Sequence, residues 1–202
     1  MQNDFFSVGI TGGIGSGKSL VCKIFSVLGI PIYSSDERAK WLLAHHADLK
    51  DQVIRHFGAE AYDSEGNPNR SFLANEIFKK ESNRQVLNSL VHPLVDEDFQ
   101  RWRISHTNSP FTLKEAALLF ETGSYKKLHK MVNVSAPEAL RIRRVLLRDH
   151  HRDRDQVVAI MKKQWTDAER EKQADYTLRN DERQLLIPKV TRLYRQLCDD
   201  AA

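Results

Sequence analysis

The chain has 202 residues, of which 41% are hydrophobic and 29% are charged. This length and composition predict one globular domain, or one core that carries insertions, and exclude a disordered chain. The net charge of +4 is too small to require a broad nucleic-acid-binding surface. Two cysteines without a CxxC motif, no apolar run of membrane-spanning length and no secretory signal before the first predicted strand lead us to expect a cytoplasmic protein with reduced thiols.

The first predicted element is a short buried strand at residues 5–10, which leads directly into a glycine-rich loop. Residues 12–19 read Gly-Gly-Ile-Gly-Ser-Gly-Lys-Ser and satisfy Gly-x-x-x-x-Gly-Lys-[Ser/Thr], and the apolar residues that follow have helical spacing. A strand, a glycine loop and a helix start in this order predict a P-loop, whose backbone N–H groups bind phosphates. We therefore expect a bound nucleoside triphosphate, with Lys18 reaching its β- and γ-phosphates and the Ser19 hydroxyl binding Mg²⁺.

A second strand is predicted at residues 30–33, and Asp36 follows it at the start of a helix. We expect this strand to be a neighbour of the first, which would place the ends of both strands at one edge of a parallel sheet. A carboxylate there could accept a hydrogen bond from an acceptor hydroxyl that faces the γ-phosphate. Asp36 equally suits the positive end of a helix dipole. Position alone leaves both interpretations open.

The middle of the chain predicts helices, and the two ends predict alternating strands and helices. Helical patterns occur at residues 49–57, 72–79, 84–91 and 94–105, with Pro93 separating the last two and a loop at residues 58–69. Further strands are predicted at residues 111–120, 131–135 and 176–178, before a closing helix at residues 182–197. This order predicts an α/β fold with a doubly wound, five-stranded parallel sheet of the P-loop NTPase type, flanked by helices.

Six arginines are concentrated in one short region of the chain: Arg141, Arg143, Arg144, Arg148, Arg152 and Arg154. A helix that begins near Pro137 places Arg141, Arg144 and Arg148 on one face, because they are spaced i, i+3 and i+7. Such a face is either solvent-exposed and paired with nearby carboxylates, or a lid whose guanidinium groups close over the γ-phosphate.

These motifs together resemble the dephospho-coenzyme A kinase family, in the same order over nearly the whole chain. The similarity is carried by Thr11 to Ser19, Ser34-x-Asp36, Asn69-Arg70, His92-Pro93, Leu118-Leu119-Phe120-Glu121, Arg144-x-x-x-Arg148-Asp149 and Ala174-Asp175. The resemblance implies an ATP- and Mg²⁺-dependent kinase that phosphorylates the ribose 3′-hydroxyl of dephospho-coenzyme A, giving coenzyme A and ADP in the last step of coenzyme A biosynthesis. It also implies a nucleotide-binding core (1–38, 108–138 and 174–202), a helical substrate-binding insertion (39–107) and a lid (139–173).

The resemblance further implies roles for individual residues. Asp36 matches the general base, Arg144 matches the lid arginine that stabilises the transferred phosphoryl group, and Lys18 matches a catalytic phosphate ligand. The implied ATP-binding residues are Gly13, Ile14, Gly15, Ser16, Gly17, Lys18, Ser19, Leu20, Arg144 and Arg148. The implied acceptor-side residues are Thr11, Asp36, Arg70, His92 and Glu121. The chain departs from the family at Ser34, Leu20, Asn69 and Ala117, where the family commonly has Asp, Thr, Asp and Pro.

Three other functions share part of this pattern. Another small-metabolite or nucleoside P-loop kinase would have the same core. A GTPase switch would share the loop, and Asp63-Ser64-Glu65-Gly66 spells Asp-x-x-Gly, but the chain has no Asn-Lys-x-Asp guanine motif. A nucleic-acid-binding ATPase could use the arginine cluster, with binding that falls steeply as salt rises. We expect neither a nucleic-acid partner nor a membrane partner.

Overall fold

The computed structural model describes residues 5–202 and confirms the predicted α/β fold. The strands are β1 (Ser7–Thr11), β2 (Ile32–Ser34), β3 (Thr112–Glu115), β4 (Lys130–Ser135) and β5 (Tyr176–Arg179). The helices are α1 (Lys18–Val27), α2 (Ser35–His45), α3 (Ala47–Phe57), α4 (Arg70–Lys79), α5 (Glu81–Ile104), α6 (Glu138–Arg148), α7 (Arg154–Lys162), α8 (Asp167–Gln173) and α9 (Leu186–Asp200). Within residues 5–202, no helix combines the length and the apolar composition that crossing a bilayer requires.

The five strands form one parallel sheet in the order β2-β3-β1-β4-β5. The prediction that the second strand neighbours the first is wrong, because β1 pairs directly with β3 and β4. β2 has only three residues and lies at the sheet edge, whereas β3 is buried over most of its length. Since a short edge strand leaves few unpaired backbone groups, the better-buried strand lies inside the sheet.

Apolar side chains hold α1 and α9 against one face of the sheet. Val8 and Ile10 of β1 and Val132 and Val134 of β4 belong to this core, because side chains at alternate positions of a strand point to the same face. The two helices contribute a matching set of buried residues: Val21, Phe25, Val190, Leu193 and Leu197. This packing fixes the start of α1 beyond the end of β1, where the glycine loop lies.

A second apolar cluster forms around Met131 of β4. Its members include Leu119 and Phe120, and the Trp165 ring stacks on Phe120 with 5.4 Å between the ring centroids. The cluster therefore joins the turn after β3 to the segment between α7 and α8.

The chain divides into two compact units. One consists of Met1–Tyr33 with Arg103–Ala202, described here from residue 5, and holds β1, β3, β4 and β5 with α1 and α6 to α9. The other, Ser34–Trp102, is helical. The predicted lid at 139–173 lies within the first unit. The separation of the chain into a core, an insertion at 39–107 and a lid remains a prediction.

The prediction that Pro93 separates two helices is wrong, because α5 runs without a break from Glu81 to Ile104. A proline inside a helix removes one backbone hydrogen bond and kinks the helix or ends it. Here the buried apolar stripe continues on both sides of the proline at every fourth position: Leu87, Val91, Val95 and Phe99. Burial of this stripe offsets the lost hydrogen bond, since each large apolar side chain contributes about 1.5–3 kcal/mol.

The closing helix, α9, begins four residues later than predicted. Glu182 has a φ of 65°, a left-handed conformation that does not continue a helix. Pro188 lies in the first turn of α9. Backbone N–H groups in the first turn have no acceptor within the helix, so a proline there removes no helical hydrogen bond. Residues 180–185 instead form a loop after the C-terminal end of β5.

Candidate active site

The glycine loop joins β1 to α1, and three of its glycines have backbone conformations that other residues rarely adopt. Gly12, Gly15 and Gly17 have φ values of 151°, 77° and 96°. A Cβ atom at Gly15 would overlap the backbone of Arg141, and one at Gly17 would overlap the side chain of Asn180. The loop requires glycine at these positions because neighbouring elements pack directly against it.

Lys18 and Ser19 begin α1 at the end of the loop. The Lys18 Nζ donates a hydrogen bond to the Gly12 carbonyl at 2.7 Å, and Ser19 is exposed. Both residues line a cavity of about 150 Å³ whose other lining residues are Gly15, Gly17, Arg144, Val145 and Arg148. The fold therefore brings the predicted phosphate ligands and two arginines of α6 to one cavity.

A larger cavity of about 550 Å³ shares Gly17 and Arg144 with the first. Leu20, which is 53% exposed, lies in its wall, and the remaining lining comes from residues 180 and 182–186. Leu20, Leu185 and Leu186 give this cavity an apolar side that suits the flat base of a nucleotide, and polar side chains line the rest. The loop after β5 was not predicted as part of a site, although it follows the carboxyl end of a parallel strand, where ligands of such sheets bind.

Arg141 is buried beneath the glycine loop. Its Nε donates to the Ile14 carbonyl at 2.9 Å, and its Nη1 pairs with the Asp167 carboxylate at 3.0 Å. Burial lowers the pKa of this guanidinium, and the charge of Asp167 opposes that shift. One member of the predicted arginine face therefore supports the loop from below.

Arg144 and Arg148 are bound to acceptors within the protein. Arg144 donates from Nη2 to the Asn180 carbonyl at 3.0 Å and to the Glu182 carboxylate at 2.9 Å. Arg148 forms two hydrogen bonds with Asp149, at 2.8 and 3.0 Å, which raise the pKa of Arg148 and lower that of Asp149. Because carboxylates neutralise these arginines, the cluster is less suited to an open nucleic-acid-binding surface.

Glu115 is a candidate site residue that was not predicted. It ends β3, the strand that pairs with β1 on the side of β2. Burial raises the pKa of the Cys22 thiol to about 12, the charge of Glu115 adds to this shift, and the charge of Lys18 opposes it. Glu115 lies beside Ile10 of β1 in the parallel register, so its side chain shares the face of the sheet on which Ile10 packs with Cys22 of α1. The available sequence signal was a charged pair, Lys114-Glu115, inside an otherwise apolar predicted strand at residues 111–120.

The oxygen donors near the start of α1 fit a magnesium ion bound together with a nucleotide. Mg²⁺ prefers hard oxygen ligands and usually takes one or two protein groups, with phosphates and waters completing its shell. The Ser19 hydroxyl and the Glu115 carboxylate are donors of this type. Among the described residues, no group of three His, Cys, Asp or Glu side chains forms a separate metal site.

Three predicted acceptor-side residues lie in the second unit. Asp36 is exposed in the first turn of α2, Arg70 is exposed at the start of α4, and His92 is half-buried on α5. A hydrogen bond from Lys40 lowers the pKa of Glu37, and the charge of Arg70 contributes to the shift. The start of α4 therefore acts electrostatically on the turn of α2 that contains Asp36.

An ion pair inside the second unit fixes α2 on α5. Arg38 forms two hydrogen bonds of 2.7 Å with the Asp98 carboxylate, and its guanidinium carbon lies 4.4 Å from the centroid of the Trp41 ring. A bidentate pair of this kind defines orientation as well as distance. The helix that carries Asp36 is thus held to α5 two residues further along, at Arg38.

Thr11 and Glu121, two other predicted acceptor-side residues, bind groups within the first unit. The buried Thr11 hydroxyl donates to the Ala117 carbonyl at 3.3 Å. Glu121 accepts the backbone N–H of Trp165 at 2.8 Å through Oε1, while its Oε2 is buried without a hydrogen-bond partner. Contact of either residue with an acceptor remains a prediction.

The Asp-x-x-Gly match has a local structural explanation. Asp63 accepts the backbone N–H groups of Glu65 and Asn67 at 3.0 and 2.8 Å, and the hydrogen bond from Asn67 is the main cause of its lowered pKa. Asp63 therefore stabilises an exposed turn of the second unit, and no strand immediately precedes it in the chain.

Comparison with known proteins identifies a consistent set of relatives. The family model for dephospho-CoA kinase matches residues 6–185. A dephospho-CoA kinase of Porphyromonas gingivalis is 36% identical over 192 residues, which cover 93% of this chain and 92% of that protein. A crystal structure of a Thermus thermophilus protein has a TM-score of 0.82 at 28% identity and covers 98% of both chains. The dephospho-CoA kinase of Campylobacter jejuni has the same fold, with a TM-score of 0.71 at 22% identity over 97% of this chain and 98% of that one.

Proposed function

Because the chain belongs to the dephospho-CoA kinase family and is an ATP-dependent kinase, we propose that it transfers the γ-phosphoryl group of ATP to the ribose 3′-hydroxyl of dephospho-coenzyme A. The products are coenzyme A and ADP, as in the last step of coenzyme A biosynthesis. The observation that carries this proposal is the cavity that Lys18 and Ser19 share with Arg144 and Arg148. Phosphoryl transfer depends mainly on such positioning and charge neutralisation.

The donor half of the reaction uses the glycine loop and the start of α1. Loop N–H groups and Lys18 bind the β- and γ-phosphates, and the Lys18 ammonium group stabilises charge that develops on the bridging oxygen. The Ser19 hydroxyl and Glu115 would hold Mg²⁺, Glu115 directly or through a water. When bound, Mg²⁺ neutralises charge on the phosphate oxygens.

The acceptor half depends on Asp36. Its carboxylate accepts a hydrogen bond from the ribose 3′-hydroxyl and takes up its proton as the oxygen attacks the γ-phosphorus in line with the leaving ADP. The parallel sheet supports this role, because β2 ends at the same sheet edge as β1 and Asp36 follows two residues later. Arg70 and His92 belong to this half, where a cation suits the diphosphate of dephospho-coenzyme A.

The two arginines of α6 stabilise the phosphoryl group in transit. Arg144 gives up its hydrogen bond to the Glu182 carboxylate and binds phosphoryl oxygens instead. Arg148 likewise gives up the Asp149 carboxylate for phosphoryl oxygens. The exchange keeps each guanidinium paired throughout, so little desolvation is added when the site closes.

We expect the reaction to take place in a reducing cytoplasm, since Cys22 and Cys198 are free thiols.

An ADP-release assay tests the proposed function. Purified protein with ATP and Mg²⁺ is supplied in turn with dephospho-coenzyme A, adenosine, shikimate or gluconate, at low and moderate salt. Of the four acceptors, we expect only dephospho-coenzyme A to support ADP release, and we expect this activity to persist at moderate salt. Activity confined to another acceptor would contradict the substrate and retain the kinase class. Turnover without any acceptor, or turnover that requires nucleic acid, would support one of the other P-loop functions.

Glu115→Gln is expected to raise the Mg²⁺ concentration for half-maximal activity about tenfold, because loss of a ligand or of a group that orients one commonly costs 10–100-fold in metal affinity. The measurement is the initial rate against free Mg²⁺ at fixed ATP. Glu60→Gln, which removes an exposed carboxylate in the second unit, serves as the control and should leave the Mg²⁺ curve unchanged. An unaltered curve for Glu115→Gln would exclude this carboxylate from the magnesium site.

A further inference from the structure

Two carbonyl groups of the glycine loop are held by side chains from separate elements. Arg141 of α6 donates from Nε to the Ile14 carbonyl, and Asn180, after β5, donates from Nδ2 to the Ser16 carbonyl, both at 2.9 Å. The two donors are 4% and 9% exposed. Water therefore competes weakly for these hydrogen bonds, and each carbonyl has a defined direction.

The direction of a carbonyl also determines the direction of the next N–H group. In a planar trans peptide, the C=O and the N–H of one unit point in opposite directions. Fixing the Ile14 carbonyl thus fixes the N–H of Gly15, and fixing the Ser16 carbonyl fixes the N–H of Gly17. Both glycines line the phosphate cavity, whose lining includes neither Arg141 nor Asn180. Arg144, which does line it, makes only a longer contact of 3.5 Å from Nη1 to the Ser16 carbonyl.

The N–H groups that alternate with these two are used within the protein. The Ile14 N–H donates to the Gln164 side chain at 2.9 Å, and the Ser16 N–H donates to the Gly13 carbonyl at 3.1 Å. Along the loop, an N–H bound by the protein is thus followed each time by the N–H of a cavity-lining glycine. The alternation separates loop groups that maintain the loop from groups that are available to an anion.

We propose that Arg141 and Asn180 are positioning residues that aim the N–H groups of Gly15 and Gly17 at the phosphates of bound ATP. Neither side chain lines the phosphate cavity. Their effect is preorganisation, because donors that are already oriented need no ordering when the anion binds. The inference rests on the proposed function only in that the loop binds a triphosphate, and it is independent of the identity of the acceptor.

Amide resonances of the full-length, ¹⁵N-labelled protein test the alternation directly. Inorganic pyrophosphate with Mg²⁺ serves as the probe, because it presents the phosphates without a base or an acceptor. We expect the Gly15 and Gly17 amides to shift strongly on titration and the Ile14 amide to shift little. A dominant shift at Ile14, with Gly15 and Gly17 unchanged, would overturn the proposal.

Asn180→Ala tests positioning by a neutral residue, so that a change in affinity does not reflect a lost charge. The Kd for pyrophosphate and the KM for ATP should each rise about tenfold, while kcat at saturating ATP changes less than threefold, since these N–H groups bind the ground state and the transition state alike. The substitution retains the hydrogen bond between Arg144 and residue 180, because Arg144 binds the backbone carbonyl of that residue. In Asn180→Ala, the change in the Gly17 amide resonance on titration with pyrophosphate should be much smaller than in the wild-type protein.

A matched control separates positioning from general destabilisation. Val190→Ala removes buried methyl groups from α9, away from the loop, and should lower the melting temperature without changing the Kd for pyrophosphate. Equal weakening in Val190→Ala and Asn180→Ala, or an unchanged Kd in folded Asn180→Ala, would overturn the proposal. Arg141→Met, which keeps a buried aliphatic side chain, provides the corresponding test at Gly15. Should the kinase assay fail with dephospho-coenzyme A, the pyrophosphate result still decides this inference.

Discussion

Arg144→Ala is expected to lower kcat about 10³-fold, the scale of effect that an arginine contributes when it stabilises a transferring phosphoryl group. The guanidinium lines the phosphate cavity, and its present partners, Glu182 and the Asn180 carbonyl, belong to residues that line the larger neighbouring cavity. Its removal takes away one of the two α6 guanidinium groups that line this cavity and neutralise developing charge. The measurement is kcat from ADP release at saturating ATP and dephospho-coenzyme A.

Arg143 provides a matched control for this substitution. It is the preceding residue of α6, carries the same charge and is exposed. Arg143→Ala should keep kcat within about twofold of the wild-type value, since an isolated surface charge contributes little. If Arg144→Ala also stayed within tenfold, the residue would be no more than a partner of Glu182, and Arg148 would become the candidate for the phosphoryl group.

Asp36→Asn is expected to lower kcat about 10²-fold or more, because an amide accepts the hydroxyl proton far less readily than a carboxylate. The substitution keeps the size of an exposed side chain in the first turn of α2, so folding should be preserved. ATP affinity should also remain, since the phosphate-binding loop belongs to the first unit. Single-turnover rates and calorimetric titration with ATP measure the two properties separately.

Glu37→Gln distinguishes general-base catalysis from a helix-dipole effect at Asp36. Glu37 is the other acidic residue in the first turn of α2 and is likewise exposed. Stabilisation of the helix end would make both substitutions similar, each with a small loss of stability. A general base predicts a loss of turnover at Asp36 alone, and equal rates for the two variants would contradict that role.

Local patterns in the sequence determined the presence of the five strands, the glycine loop and most of the helices, although the strand predicted at residues 111–120 ends at Glu115. The loop was recognisable because its glycines, Lys18 and Ser19 are consecutive and their chemistry depends on backbone contacts between near neighbours. The capping boxes at Asp153 and Thr166 start α7 and α8 for the same reason, since a cap is completed within four residues. Ordered motifs along the chain also identified the family, because each motif is itself short.

The tertiary structure decided which distant residues meet. Strand order, the unbroken α5 and the late start of α9 all depended on burial or on a backbone conformation that local pattern does not encode. Arg141 and Arg144 share a face of α6 by spacing, yet one is buried under the loop and the other lines the phosphate cavity. Their surroundings come from residues more than 20 positions away in the chain, Glu182 and Asn180 for Arg144 and Asp167 and the Ile14 carbonyl for Arg141. The sequence by itself thus determined that a phosphate-binding loop is present, and only packing between separate elements decided which groups orient it.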